Sequence, residues 1–96
     1  MKVLVVEDNF LLREIVGEII SFLGHEVCLV RSSEEAREIL EKEKFDFLLT
    51  DFNLPGENGL QLAIFVRDNF PGMPIIMMTG CCGENLAEAR RKGFAV

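Results

Sequence analysis

The chain has 96 residues, 49% of them hydrophobic, and a formal net charge of −6. That length holds one domain with a small core. The acidic balance argues against a nucleic-acid surface, which needs a basic patch, and no apolar run nears the ~20 residues that span a bilayer. The amino terminus has one lysine and a short apolar run that turns acidic. It reads as a strand rather than a leader peptide, with a cytoplasmic location as the expectation. Cys28, Cys81 and Cys82 have neither the number nor the spacing of a disulfide framework or a zinc site.

Lys2–Val6 is a continuous β-branched apolar run ending in Glu7, Asp8 and Asn9, the pattern of a strand covered on both faces. Phe10–Leu23 has helical spacing. Its apolar residues Leu11, Leu12, Ile15, Val16, Ile19, Ile20, Phe22 and Leu23 sweep roughly 180° at ~100° per residue. A helix on a sheet needs only a ~100° stripe, so a second apolar partner is expected. Gly24 supplies the stop. His25 has no second His or Cys at ligand spacing and reads as a turn residue. Val27–Val30 is the second strand, with Cys28 as a small core residue. Ser32, with Glu35 three residues on, predicts a capping box opening a helix with Ala36, Ile39 and Leu40 on its apolar face.

Asp46–Thr50 is the third strand and reaches Asp51. A turn-rich segment follows with Asn53, Pro55, Gly56, Asn58 and Gly59. Asn58 caps a helix over about 59–69, with Leu62, Phe65 and Val66 on one face. Phe70-Pro71-Gly72 breaks it. Pro74–Met78 is the fourth strand, followed by Thr79 and Gly80. The last helix runs from about Glu84 to Lys92 and stops at Gly93. Arg90–Lys92 reads as a solvated helix end. The adjacent Cys81 and Cys82 read as ordinary loop thiols, with a redox pair as the alternative.

The alternation βαβαβαβα predicts a parallel sheet with right-handed crossovers and helices on both faces. In such sheets ligands bind at the C-terminal strand ends. Three of the four strands end there in reactive side chains: Glu7 and Asp8, then Asp51, then Thr79. An aspartate ending a strand is ordinary by itself. Carboxylates gathered from matched ends repel one another unless a cation joins them. Hard oxygen donors suit Mg²⁺. A hydroxyl beside them outlines a magnesium-assisted phosphoryl site, with Asp51 as nucleophile and Thr79 orienting a phosphoryl oxygen. The alternative is a set of solvated strand ends.

Three pieces carry a family resemblance: VLVVEDN at Val3–Asn9, LLTDFNLPGENG at Leu48–Gly59 and PIIMMTG at Pro74–Gly80. In this order and at these separations the chain resembles the receiver domain of bacterial two-component response regulators, over its whole length. The resemblance implies a flavodoxin-like, doubly wound parallel α/β sheet. It implies that Asp51 accepts a phosphoryl group from a sensor histidine kinase, and that Asp8 and Asp51 bind Mg²⁺ directly. Glu7 would act on the metal through water, and Asn53 through its backbone carbonyl. Thr79 would be the hydroxyl that moves toward the phosphoryl group. Asn53 and Cys81 stand where the family tunes dephosphorylation. A phosphoacceptor of this kind is not a turnover enzyme.

The family has five strands in the order 2-1-3-4-5. This sequence carries four, expected in the order 2-1-3-4 with four helices, and stops where the fifth would begin. The reading is therefore a truncated receiver over 1–96 without an output domain. It lacks the strand-five lysine that pairs with the phosphorylated aspartate and the aromatic residue that moves with the threonine. Strand four becomes an open apolar edge, and the first helix loses the neighbour its broad apolar arc requires. A homo-oligomer that covers Pro74–Met78, Phe10–Leu23 or both is expected, with phosphorylation slow or poorly coupled. The competing reading is a phosphorylation-independent dimerisation or interaction module. A haloacid-dehalogenase-type phosphatase is a third, disfavoured by Asn53 where a second aspartate is needed and by the short chain.

Overall fold

The apolar runs and the spaced helical faces fold in strict alternation. A computed structural model describes residues 1–78 and 83–94. In chain order the elements are β1 (Lys2–Val6), α1 (Phe10–Phe22), β2 (Glu26–Val30), α2 (Ser33–Lys42), β3 (Phe47–Asp51), α3 (Gly59–Asn69), β4 (Ile75–Met78) and α4 (Gly83–Arg91). The strands are parallel, in the order β2-β1-β3-β4. This is the flavodoxin-like arrangement expected from the sequence, with four strands and four helices among the described residues.

β3 starts and ends one residue later than the sequence suggests. Asp46 stays outside the strand, where its Oδ2 accepts the Lys2 N–H at 2.8 Å. Asp51 thereby becomes the last strand residue, pairing with Met78. The capping box expected at α2 is only half formed. The Ser32 side chain accepts the Glu35 N–H at 3.2 Å, but the Glu35 carboxylate turns to the Arg31 N–H instead of the Ser32 N–H. The reciprocal box forms at α3: Asn58 and Gln61 each accept the other's backbone N–H. Capping of this kind satisfies donors that helix geometry orphans.

The pleat divides the strands between two faces. On one face Leu4, Val6 and Leu48 pack with Ala36 and Leu40 of α2 and with Leu62 and Val66 of α3. Met77 continues this face toward α4, joining Leu60, Ala63, Ala89 and Phe94. On the other face Leu29, Val5, Leu49 and Ile76 lie in register across all four strands. There α1 packs over β1 and β2. It is seated closely at Gly17, where an added Cβ would stand 2.9 Å from Leu29 Cδ1.

The second apolar partner expected for α1 is not found among the described residues. Val16 and Ile20 are half-buried, while Leu11, Leu12, Ile15, Ile19, Phe22 and Leu23 remain exposed, Phe22 at 89%. Leu49 and Ile76 are likewise only half-buried. The broad arc is real, but only its sheet-facing edge is covered.

Candidate functional site

Parallel strands bring their C-terminal ends to one edge, and here that edge gathers acid. Ligand oxygens of Glu7, Asp8 and Asp51 lie within 4.8 Å of one another. Glu7 continues the β1–β2 ladder, its N–H donating to Val30 O at 3.1 Å. Its side chain is only 2% exposed. Asp8 is exposed and Asp51 half-buried. The set therefore runs from a buried carboxyl to one open to solvent.

Burial sets the electrostatics. It pushes Glu7 up from 4.5 to about 7; the Asn9 N–H on its Oε2 at 3.2 Å pulls the other way, and the Asp51 charge adds to the rise. Burial also raises Asp51, against hydrogen bonds from Glu7 and from the backbone N–H groups of Asn53 and Phe52. Burial favours the protonated form of Glu7, which donates to the Asp51 carboxylate. Carboxylates this close cannot all ionise without a compensating charge. Among the described residues no ion pair reaches Glu7, Asp8 or Asp51. The donors are hard oxygens with one exposed side, and they fit a Mg²⁺ that keeps part of its water shell.

Several residues that the sequence reading passed over hold this edge in shape. Arg13 donates from Nη1 to the backbone carbonyls of Glu7 at 2.9 Å and Asp8 at 3.5 Å. It lies one helical turn after Asn9, whose side chain caps α1 through Leu12 N–H at 2.9 Å. Thr50 is fully buried and donates to Asp51 O at 3.0 Å. Gly59 presses on the same carbonyl: an added Cβ would come within 1.9 Å of Asp51 O. Its own N–H donates to Phe52 O at 2.8 Å. A glycine directly after the Asn58 cap was the available signal for this close approach.

Of the expected site residues, Glu7, Asp8 and Asp51 converge. Asn53 is on the adjoining loop with its N–H toward Asp51. Thr79, Cys81 and Cys82 lie outside the described residues. His25 is a turn residue whose Nδ1 sits 3.3 Å from the terminal amine.

The response regulator receiver domain model matches residues 3–93. The chain belongs to this receiver family. As a receiver it is 39% identical to the response regulator protein FleR of Pseudomonas aeruginosa over 95 residues, which are 98% of this chain and 20% of FleR. It is 41% identical to a CheY homolog of Campylobacter jejuni over 83 residues, 82% of this chain and 64% of that protein. The chain thus spans about a fifth of the length of FleR. Among solved structures, the chemotaxis response regulator CheY4 of Vibrio cholerae superposes with a TM-score of 0.86 at 29% identity, covering 97% of this chain and 80% of that one. Receiver membership agrees with the strand order and with an acidic cluster at the strand ends.

Proposed function

We propose that this receiver accepts a phosphoryl group on Asp51 with Mg²⁺ held at the strand ends, as a module of two-component signalling. The observation that carries this reading is the convergence of Glu7, Asp8 and Asp51, with Asp51 last on its strand. Asp8, Asp51 and the Asn53 carbonyl would hold the metal, with Glu7 behind them. When bound, the ion supplies positive charge that offsets the carboxylates and the developing phosphoryl charge. An Asp51 carboxylate oxygen attacks phosphorus on a phosphohistidine of a sensor kinase. The P–N bond breaks, and its electrons leave with the imidazole, which takes up a proton. The backbone N–H of Asn53 holds the attacking carboxylate in place. Thr79 takes the role of the hydroxyl partner, and the location is cytoplasmic. The chain is a phosphoacceptor rather than a turnover enzyme.

Transfer in these 96 residues is slow. No ion pair reaches Asp51 among the described residues, so a second cation to neutralise the product is lacking there. Incubation with a small phosphodonor and Mg²⁺, followed by intact-mass measurement, tests the reading. One phosphoryl group added slowly to wild type and none to Asp51→Asn is the expected result. Uptake at the rates usual for receivers contradicts the impairment, and an adduct on Asp51→Asn contradicts the assignment.

One observation favours a second reading, an interaction module that works without phosphorylation. The exposed stripe of α1 from Leu11 to Leu23 presents on the order of 600 Å² of apolar area, taking roughly 150–200 Å² for each fully exposed large side chain. Patches of that size sit at the upper end for monomers and approach the ~800 Å² per partner of a stable interface. β4 is the sheet edge farthest from β2, over which α1 packs. A second copy covering α1, β4 or both is the occupant proposed. Sedimentation at tens of micromolar shows a dimer or higher species on this reading, and a clean monomer rules it out.

A further inference from the structure

Residues 52–58, between β3 and α3, carry the groups that hold Asp51, yet little of this loop is regular structure. Its near end is tied to the site: the Asn53 N–H is directed at the Asp51 carboxylate, the Phe52 N–H donates to Met78 O of β4 at 3.0 Å, and Gly59 closes on Phe52 O. Its far end is tied to α2. The Ser33 hydroxyl, fully buried, donates to Glu57 O at 3.0 Å. Arg37, one turn further along α2, grips the Glu57 carboxylate with both arms, Nε to Oε2 at 2.9 Å and Nη2 to Oε1. Its guanidinium also lies over the Phe65 ring of α3, 4.1 Å from the centroid. Between the two ends Leu54 is sunk in the core formed with α2 and α3.

We infer that Arg37 and Glu57 act as a positioning pair, a clasp from α2 that fixes the loop carrying Asn53 and so sets the Asp51 site for Mg²⁺ and phosphoryl transfer. This rests on the receiver reading above. Two-armed arginine–carboxylate contacts fix direction as well as distance, and the ring beneath the guanidinium limits where it can swing. Isolated surface ion pairs add little to stability. Here the pair joins α2 to a loop that ends at the nucleophile, so its effect falls on the geometry of the loop. A displacement of about 1 Å at a reacting centre is enough to slow a reaction substantially.

The test uses the full chain as wild type, Arg37→Gln, Glu57→Gln and the double variant. Neither side chain belongs to the buried core; Glu57→Gln keeps the size of the side chain, and Arg37→Gln shortens it and removes its contact with the Phe65 ring. The readouts are the rate of adduct formation at Asp51, Mg²⁺ affinity by calorimetry, and amide exchange of residues 52–58. Each single variant is expected to slow adduct formation about fivefold, weaken Mg²⁺ binding in step and speed exchange in the loop. The double variant should show the same fivefold loss rather than its square, because each residue acts only through the other. Singles within twofold of wild type, losses that multiply, or unchanged loop exchange overturn the clasp while leaving the receiver reading intact. A wild-type chain that takes up neither Mg²⁺ nor phosphoryl overturns the receiver reading, and the clasp with it.

Discussion

Glu7 gives the sharpest dependence on pH and metal. Its folded-state value is raised from 4.5 to about 7, so the folded chain binds a proton that the unfolded chain has released across that interval. The stability linked to this proton is fully present below about pH 4.5 and is lost as pH rises through 7. At 1.36 kcal/mol per pH unit the full interval corresponds to about 3 kcal/mol. The cluster opens to solvent at Asp8, and screening reduces this to about 1–2 kcal/mol. Asp51 is raised as well and adds loss of the same sign.

The assay is urea unfolding followed by far-UV circular dichroism, because the chain has no Trp or Tyr to report by fluorescence. Without metal, stability is expected to fall by about 1–2 kcal/mol between pH 5 and pH 8. Millimolar Mg²⁺ should restore it at pH 8 and do little at pH 5, where protons compete for the same oxygens. Glu7→Gln, which cannot ionise, should flatten the slope. A slope unchanged by Glu7→Gln, or stability that rises across the interval, refutes the reasoning.

Gly59→Ala places a Cβ against the Asp51 carbonyl, at 1.9 Å unless the loop moves. A loss of about 2–4 kcal/mol by urea unfolding is expected, and a loss under about 0.5 kcal/mol contradicts the close approach. Leu62 is fully buried between α3 and the sheet, and Leu62→Ala should cost about 2–5 kcal/mol by the same measurement. Ile19→Lys places a charge on the exposed stripe of α1. It should shift sedimentation toward monomer while leaving unfolding within about 0.5 kcal/mol of wild type. An unshifted oligomer removes this face from the interface.

The sheet and its order were legible because each strand is a short apolar run closed by polar or turn residues, and each helix has its own spacing and cap. The acidic site was legible for a topological reason. Residues directly after β1 and at the end of β3 must meet when strands are parallel, so Glu7, Asp8 and Asp51 could be grouped before any coordinates. What escaped were contacts whose signal is not periodic. Arg37 and Glu57 each look like solvated surface charge, and only the packing of α2 against the loop joins them. Glu35 looked like the second half of a capping box, but its carboxylate accepts the Arg31 N–H instead. The width of the α1 arc was legible, but the second partner inferred from it is not found among the described residues. Pattern alone gives the width of an apolar surface, and what covers it depends on the rest of the assembly.

The central claim is that Asp51 is the phosphoacceptor and needs Mg²⁺. Intact-mass spectrometry after incubation with a small phosphodonor tests it most directly, on wild type with Mg²⁺, wild type with chelator, and Asp51→Asn with Mg²⁺. The account expects one added phosphoryl group, formed slowly, in the first sample alone. An adduct of equal size with chelator or on Asp51→Asn, or no adduct on wild type with Mg²⁺, would contradict it.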